Sequence, residues 1–437
     1  MIKLEEYKAR RKSLMQKMGS FAIAIIPSAK LLLRNADTEF PYRQHSDFYY
    51  LTGFEEPGAV LVLLKTHQSE KFILFNREKN PSEEVWTGFR AGQAGAVESF
   101  NADESFPIAS FEEKLLELLI GPEKIYYTVG SNRALDATIS KSLSKLRGRI
   151  RSGIDSPLEI LDVGKLTSEM RLFKSNDEIS LMKKAAEISA AAHIKAMQVC
   201  KPGVFEYDLE AEIMYHCQKQ GARFQAYTPI VGSGDNSCIL HYNENNKKIA
   251  DNSIVLIDAG CEYNYYASDI TRTFPANGKF SAEQKAIYDL VLKAQLAAIE
   301  LAKPNTPWVK MQEAIVEVIT QGLLDLKILQ GNLKELIDSK AYQDFYMHNS
   351  GHWLGLDVHD VGSYKIKDNW RKLEPSMALT IEPGIYISKT NKNVAEKWHG
   401  IGVRIEDDVV ITDNGCDILS AKAPKTINEI EELMNNK

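Results

Sequence analysis

Apolar and polar positions along this chain follow two different rhythms, which change over near Arg171. Upstream, short apolar runs at 21–26, 59–64, 71–75 and 125–128 are bounded by polar turn residues and alternate with helical stretches such as 111–120. Strands alternating with helices predict an α/β domain over residues 1–172. Downstream, Ser175-Asn-Asp-Glu178 is a capping box, a hydroxyl followed three residues later by a carboxylate, and it opens a long helix running toward Cys200. Residues 173–437 are the second predicted domain.

This second region repeats itself. Residues 181–221 predict a helix closed by Lys201-Pro202, a short loop and a second helix ending at Gly221. Residues 287–322 predict the same elements about 102 residues later, with Lys303-Pro304 closing the first helix and the second ending near Gly322. A strand-rich stretch follows each helix pair. Two copies imply a pseudo-twofold domain rather than a solenoid, so residues carried by both halves converge where the halves meet.

The strand-rich stretches carry the chemistry. The run Ser253 to Asp258 reads as a strand, 261–266 as a turn region and 267–274 as the returning strand with Asp269. A turn centred on Tyr263-Asn264 sets Asp258 opposite Asp269, with their Cβ atoms roughly 5 Å apart. Two like charges at that distance are destabilising unless one is protonated or a cation lies between them. Asp258 ends a wholly apolar run, which places it at the edge of a core rather than on a solvated hairpin. In the second copy, Met377-Ala-Leu-Thr-Ile-Glu382-Pro383-Gly384 puts Glu382 at a strand end, because the residue before proline is biased to extended geometry. The alternation in Gly402-Val-Arg404-Ile-Glu406 puts Arg404 and Glu406 on one face, where Arg404 can pair with a ligand carboxylate. Three of the nine histidines, His348, His352 and His359, fall within twelve glycine-rich residues, as expected where a substrate approaches backbone. Together Asp258, Asp269, His352, Glu382 and Glu406 make a ligand set for two hard divalent cations.

Composition narrows the setting. With 437 residues, 44% hydrophobic and 26% charged, the chain has room for two ordinary globular domains. A formal charge of −6, with basic residues interspersed among acids, predicts no nucleic-acid partner. No apolar run approaches the ~18 residues of a spanning helix, and residues 2–18 are amphipathic rather than a secretory signal, so no membrane role is expected. The five cysteines are odd in number and lack CxxC spacing, which reads as reduced thiols in a cytoplasmic protein.

Five motifs in one order, the Asp258/Asp269 pair, His352-Trp-Leu-Gly-Leu-Asp-Val-His359-Asp-Val-Gly, Thr380-Ile-Glu382-Pro-Gly, Gly402-Val-Arg404-Ile-Glu406-Asp-Asp and the upstream stretch 34–54, resemble the creatinase-like "pita-bread" metallopeptidases. Within that group they are similar to the bacterial aminopeptidases P. The resemblance implies an α/β (α+β) architecture: a creatinase-type domain that mediates oligomerisation and substrate access, then a pseudo-twofold pita-bread catalytic domain. It implies Asp258 and Asp269 as ligands of one metal, with Asp269, Glu406, His352 and Glu382 completing the second and Asp269 and Glu406 bridging. It further implies that His241, His348 and His359 meet substrate and handle protons, that Tyr386 and Arg404 support the ligands, and that Asp37, Trp86 and Arg151 reach toward substrate. Residues 365–371 depart from the family pattern, which puts in doubt any substrate-binding arginine there, and Asn349-Ser350-Gly351 departs in a way that alters pocket shape.

The expected reaction is hydrolysis of the Xaa-Pro bond at a peptide N-terminus, with a metal-bridging hydroxide as nucleophile and Glu382 handling its proton. Oxygen-rich ligation with one imidazole favours Mn2+, with Co2+ or Zn2+ still able to bind. A homodimer or homotetramer is implied by the same resemblance. Three other readings stay open: a prolidase restricted to dipeptides, a methionine aminopeptidase, against which the long N-terminal region argues, and a metal-free creatinase-type hydrolase or peptide-binding module.

Overall fold

The run Ala22–Pro27 is buried along nearly its whole length, as a strand covered on both faces must be. In this computed structural model, which describes residues 1–436, it is a central strand of a six-stranded mixed sheet. It pairs antiparallel with Val60–Lys65 and parallel with Lys124–Tyr126. Glu70–Asn76 and Glu104–Pro107 extend one side, and Glu159–Leu161 closes the other. Helices Phe111–Leu118 and Arg133–Arg147 lay Leu115, Ile139 and Leu143 against Ile23, Ile25, Val62 and Ile125. The sheet and its helices belong to the first of two compact units, Met1–Met170; the second is Arg171–Lys437.

The second unit is built from two helix pairs. Asn176–Val199 opens on the Ser175/Glu178 capping box, and Ala282–Leu301 opens on a second box, Ser281/Gln284, in the equivalent position. Glu206–Lys219 and Val309–Asp325 are their partners. Ala282–Leu301 and Val309–Asp325 approach so closely that a Cβ on Gly322 would lie 2.1 Å from Leu290 Cδ1, and any larger residue there would displace the Leu290 side chain. Each pair is followed by strands: Ile230–Ser233, Ile254–Asp258 and Thr271–Pro275 form one sheet, and Ala378–Ile381, Asp407–Ile411 and Cys416–Ile418 another. A continuous core that includes Val255, Ile257, Phe274, Ile287, Leu379 and Val409 fills the space between helices and sheets.

One expectation is corrected. Asp258 pairs with Thr271 rather than facing Asp269, and the turn centres on Asn264-Tyr265. Both residues have positive φ (48° and 72°), the requirement of the two-residue turn that matches strand twist, and this sets the register two positions away from a turn at Tyr263-Asn264. A shift of two keeps both aspartates on one face, now as diagonal neighbours. Gly260 makes this possible, since a Cβ there would lie 1.8 Å from Ser268 O.

Candidate metal centre

The four acids sit at strand ends. Asp258 ends Ile254–Asp258, Asp269 precedes Thr271–Pro275, Glu382 follows Ala378–Ile381, and Glu406 lies between Ile401–Arg404 and Asp407–Ile411. The histidine segment is bonded alongside one of these strands: Thr380 N donates to His352 O (2.9 Å), Glu382 N to Ser350 O (2.8 Å) and His352 N to Thr380 Oγ1 (3.1 Å). All five residues line one cavity of about 820 Å³, together with His241, His348, His359 and Arg404. Asp269, His352 and Glu406 each offer a ligand atom within 4.8 Å of the others. His352 Nε2 is 3.3 Å from Asp269 Oδ2 and 3.6 Å from Glu382 Oε1.

Neutral donors hold the carboxylates in place. The Tyr227 hydroxyl lies 2.5 Å from both Asp258 Oδ1 and Asp269 Oδ1, so it ties together the two aspartates that the register leaves diagonal. Thr271 Oγ1 donates to Glu406 Oε2 (2.6 Å), and Thr380 Oγ1 to Glu382 Oε1 (3.1 Å). Arg404 reaches Asp258 Oδ2 (2.5 Å), Thr271 Oγ1 (3.1 Å) and the Tyr386 hydroxyl (2.9 Å). Tyr227, Thr271 and Thr380 were not singled out from sequence.

Two tautomers follow from these contacts, because a carbonyl oxygen can only accept. His352 Nδ1 lies 3.0 Å from Trp353 O and therefore donates to it, which leaves Nε2 directed at the carboxylates as the atom that would ligate a metal in place of its proton. His348 Nδ1 lies 2.8 Å from Asn349 O, so its Nε2 accepts from the Tyr386 hydroxyl at 2.8 Å, which in turn accepts from Arg404.

Burial, reinforced by like charges, sets the electrostatics. Burial, with the charges of Asp269, Glu382 and Asp258, holds the Glu406 carboxyl well above its ordinary range. Burial also pushes Glu382 up to about 7, and raises Asp258 in spite of Arg404. Burial lowers His352 by itself, but the hydrogen bond to Asp269 and the charge of Glu382 outweigh it and bring the imidazole to about 9. Burial works against Asp269 in the same way, and the His352 hydrogen bond and charge leave it below the usual value. His348 is lowered to about 4 by burial and the charge of Arg404, and His359 is lowered by burial and by His352, whose ring centroid is 4.4 Å away. Among the described residues lining the cavity, Arg404 is the one permanent cation set against four carboxylates.

Elsewhere, Asp37, Trp86 and Arg151 are exposed on the first unit, Trp86 at 87%. Residues 365–371 contain a short hairpin, Lys365–Ile366 with Asn369–Trp370, and Trp370 lines the cavity. The five cysteines are free thiols. No helix among the described residues is long and apolar enough to cross a membrane.

Known proteins are similar to this chain in sequence and fold. The model of metallopeptidase family M24 matches residues 180–413, and that of the aminopeptidase P N-terminal domain matches residues 7–126. The Xaa-Pro aminopeptidase of Escherichia coli is 45% identical over 434 residues, covering 99% of this chain and 98% of that protein. The solved structure of Pseudomonas aeruginosa aminopeptidase PepP is 51% identical with a TM-score of 0.98, covering 100% of this chain and 98% of the other. Zinc-substituted E. coli aminopeptidase P in complex with product matches with a TM-score of 0.97 at 45% identity, covering 100% and 99%.

Proposed function

This chain belongs to metallopeptidase family M24, and from that footing we propose that it releases the N-terminal residue from peptides with proline in the second position. The observation that carries this reading is the imbalance in the cavity, where four carboxylates face a single arginine and His352 points its Nε2 at two of them. Such a set fits cations: the oxygen donors suit hard divalent metals, and His352 is already turned with its Nε2 toward Asp269 and Glu382. Asp258, Asp269, His352, Glu382 and Glu406 would hold two ions, with Mn2+ favoured over Co2+ or Zn2+. When bound, the ions supply Lewis acidity toward the scissile carbonyl and make water acidic enough to act as a nucleophile at neutral pH.

The protein's own groups do the remaining work. Glu382 Oε1 is committed to Thr380, which leaves Oε2 to take the proton of the attacking water. His241 and His359 flank the cavity and stabilise the developing oxyanion. They also deliver a proton to the leaving nitrogen, which has no hydrogen of its own in a proline amide. His348 acts through the chain from Arg404 and Tyr386, which fixes its ring beside Glu382 (Nδ1 to Oε2, 3.9 Å). Trp308, Tyr364 and Trp370 give the cavity apolar walls suited to a pyrrolidine ring.

Residues 1–172 would serve substrate access and assembly into a homodimer or homotetramer, and the exposed apolar side chains of Val85, Trp86 and Phe89 support that role. Asp37, Trp86 and Arg151 belong to the substrate-facing part of this reading. The free thiols agree with a cytoplasmic location. A panel of peptides varied in length and at position two, assayed with added Mn2+, tests the proposal. Release of the first residue from Xaa-Pro-Yaa, and not from Xaa-Ala-Yaa, is expected. Turnover of dipeptides alone would favour a prolidase, and no release from any Xaa-Pro peptide would end the reading.

A further inference from the structure

Gln312 stands four positions after Trp308 at the start of the helix Val309–Asp325, so both residues face the same way, and both line the cavity. Its side-chain oxygen is fully engaged by the loop that carries His348. Oε1 accepts the Ser350 N–H at 2.7 Å, the Ser350 hydroxyl, and the Tyr346 hydroxyl at 3.3 Å. A backbone N–H can only donate, so the atom facing Ser350 must be the amide oxygen and the NH2 group must point elsewhere. That Nε2 has no hydrogen-bond partner among the described residues, and it is not among the atoms enclosed by protein. A half-buried amide is therefore locked by three donors with its own two hydrogens left to offer.

What the NH2 group can take is limited by its neighbours. Arg404, the permanent cation of the cavity, is committed to Asp258, Thr271 and Tyr386, so this wall lacks the charge that a carboxylate would need. A neutral donor beside aromatic walls suits a neutral acceptor. We propose that Gln312 is a substrate-binding residue whose Nε2 donates to a backbone carbonyl oxygen of the bound peptide, held in that orientation by Ser350. The proposal rests on the reading of this cavity as a peptide site. Ser350 O also accepts the N–H of Glu382, so the anchor of the donor and the backbone of the catalytic carboxylate share one residue.

The test compares Gln312→Glu and Gln312→Met with the wild type, all loaded with Mn2+, on alanyl-prolyl-alanine and its C-terminal amide. Gln312→Glu keeps an oxygen for Ser350 and Tyr346 but has no hydrogens to donate. Its KM is expected to rise roughly tenfold on both peptides with kcat within about twofold, the pattern of a lost uniform binding contact. Gln312→Met loses the anchor as well, and should raise KM while also lowering kcat. An unchanged KM in Gln312→Glu, or a fall in kcat alone, overturns the proposal, because either means the residue only holds the loop. Should Gln312→Glu fail to fold by circular dichroism, an unchanged KM in Gln312→Met has the same force. Failure of the wild type to release alanine would strike the peptidase reading itself, whereas a normal wild type with an unmoved KM in the variants strikes only the Gln312 donor.

Discussion

Replacing Gly351 by alanine should cost the protein its metal before it costs the fold. A Cβ at this position would lie 2.0 Å from Thr380 O and 2.9 Å from Thr380 C, where an ordinary contact needs about 3.4 Å. The two segments must therefore part by about 1.4 Å. The seam between them is closed by Thr380 N to His352 O (2.9 Å) and Glu382 N to Ser350 O (2.8 Å), and both bonds stretch beyond hydrogen-bonding range. At about 1 to 1.5 kcal/mol each, the loss is about 2 to 3 kcal/mol, which a unit with ordinary stability survives. The metal centre is less tolerant, since His352 and Glu382 stand on opposite sides of this seam and metal–ligand distances hold to about 0.2 Å. Metal affinity should drop at least tenfold, as when the partners that orient a ligand are lost. Elemental analysis after dialysis against buffered Mn2+, with thermal melts and peptide turnover on the same samples, measures all three quantities. A variant with full metal content, normal turnover and an unshifted melt would show that the packing of Gly351 against Thr380 does not govern the site.

Substituting Glu382 by alanine should abolish peptidase activity with little change in melting temperature, and near-normal turnover would remove its assigned role. Chelation should abolish activity, and added Mn2+ should restore it; activity that survives exhaustive chelation would favour the metal-free alternative. His193 is fully buried with Nε2 2.9 Å from Ala259 O, and burial lowers it to about 4 against about 6.5 in an unfolded chain, so the stability it contributes is complete above pH 6.5 and lost as pH falls toward 4. Between pH 7 and pH 5 the loss is about 2 kcal/mol; His193→Gln should abolish this component, and a wild-type-minus-variant difference that stays constant with pH in urea unfolding would refute it. Tryptophan fluorescence suits that measurement because four of the five tryptophans, Trp308, Trp353, Trp370 and Trp398, lie in the second unit.

Periodicity carried much of this molecule into view. The capping box at Ser175 and the apolar runs of the first unit lie within a residue or two of the helix and strands they predict, because both signals are local. The pairing of Arg404 with an acid followed from alternation along one strand. The Asp258/Asp269 register did not, because it depends on a tyrosine held at positive φ, a conformation that no local preference favours. Tyr227 and Thr271 were hidden for a different reason, whereas Thr380 shares a strand face with Glu382 by the same alternation. Both read as ordinary strand or loop residues until the fold brings them against a carboxylate, and Thr271 meets Glu406 across 135 positions of chain.

The strand period also explains how so acidic a site stays in register. Thr271 and Glu406 turn toward the cavity, so the next residues, Arg272 and Asp407, turn away from it and meet in the core at 2.7 Å, both with no side-chain exposure. Burial alone would raise the Asp407 carboxyl, but Arg272 and Lys425 hold it below the usual carboxylate range, and Gln295 and Ser420 satisfy its remaining lone pairs. Arg272 also donates to the backbone oxygens of Thr271 and Glu406, so the clamp grips the residues that carry the site groups. Breaking a buried pair of this kind costs about 3 to 5 kcal/mol, which opposes any movement of the strands that carry the cavity acids. Strand separation is thus a costly way to relax the repulsion among Asp258, Asp269, Glu382 and Glu406, and protonation or a bound cation relieves it in place.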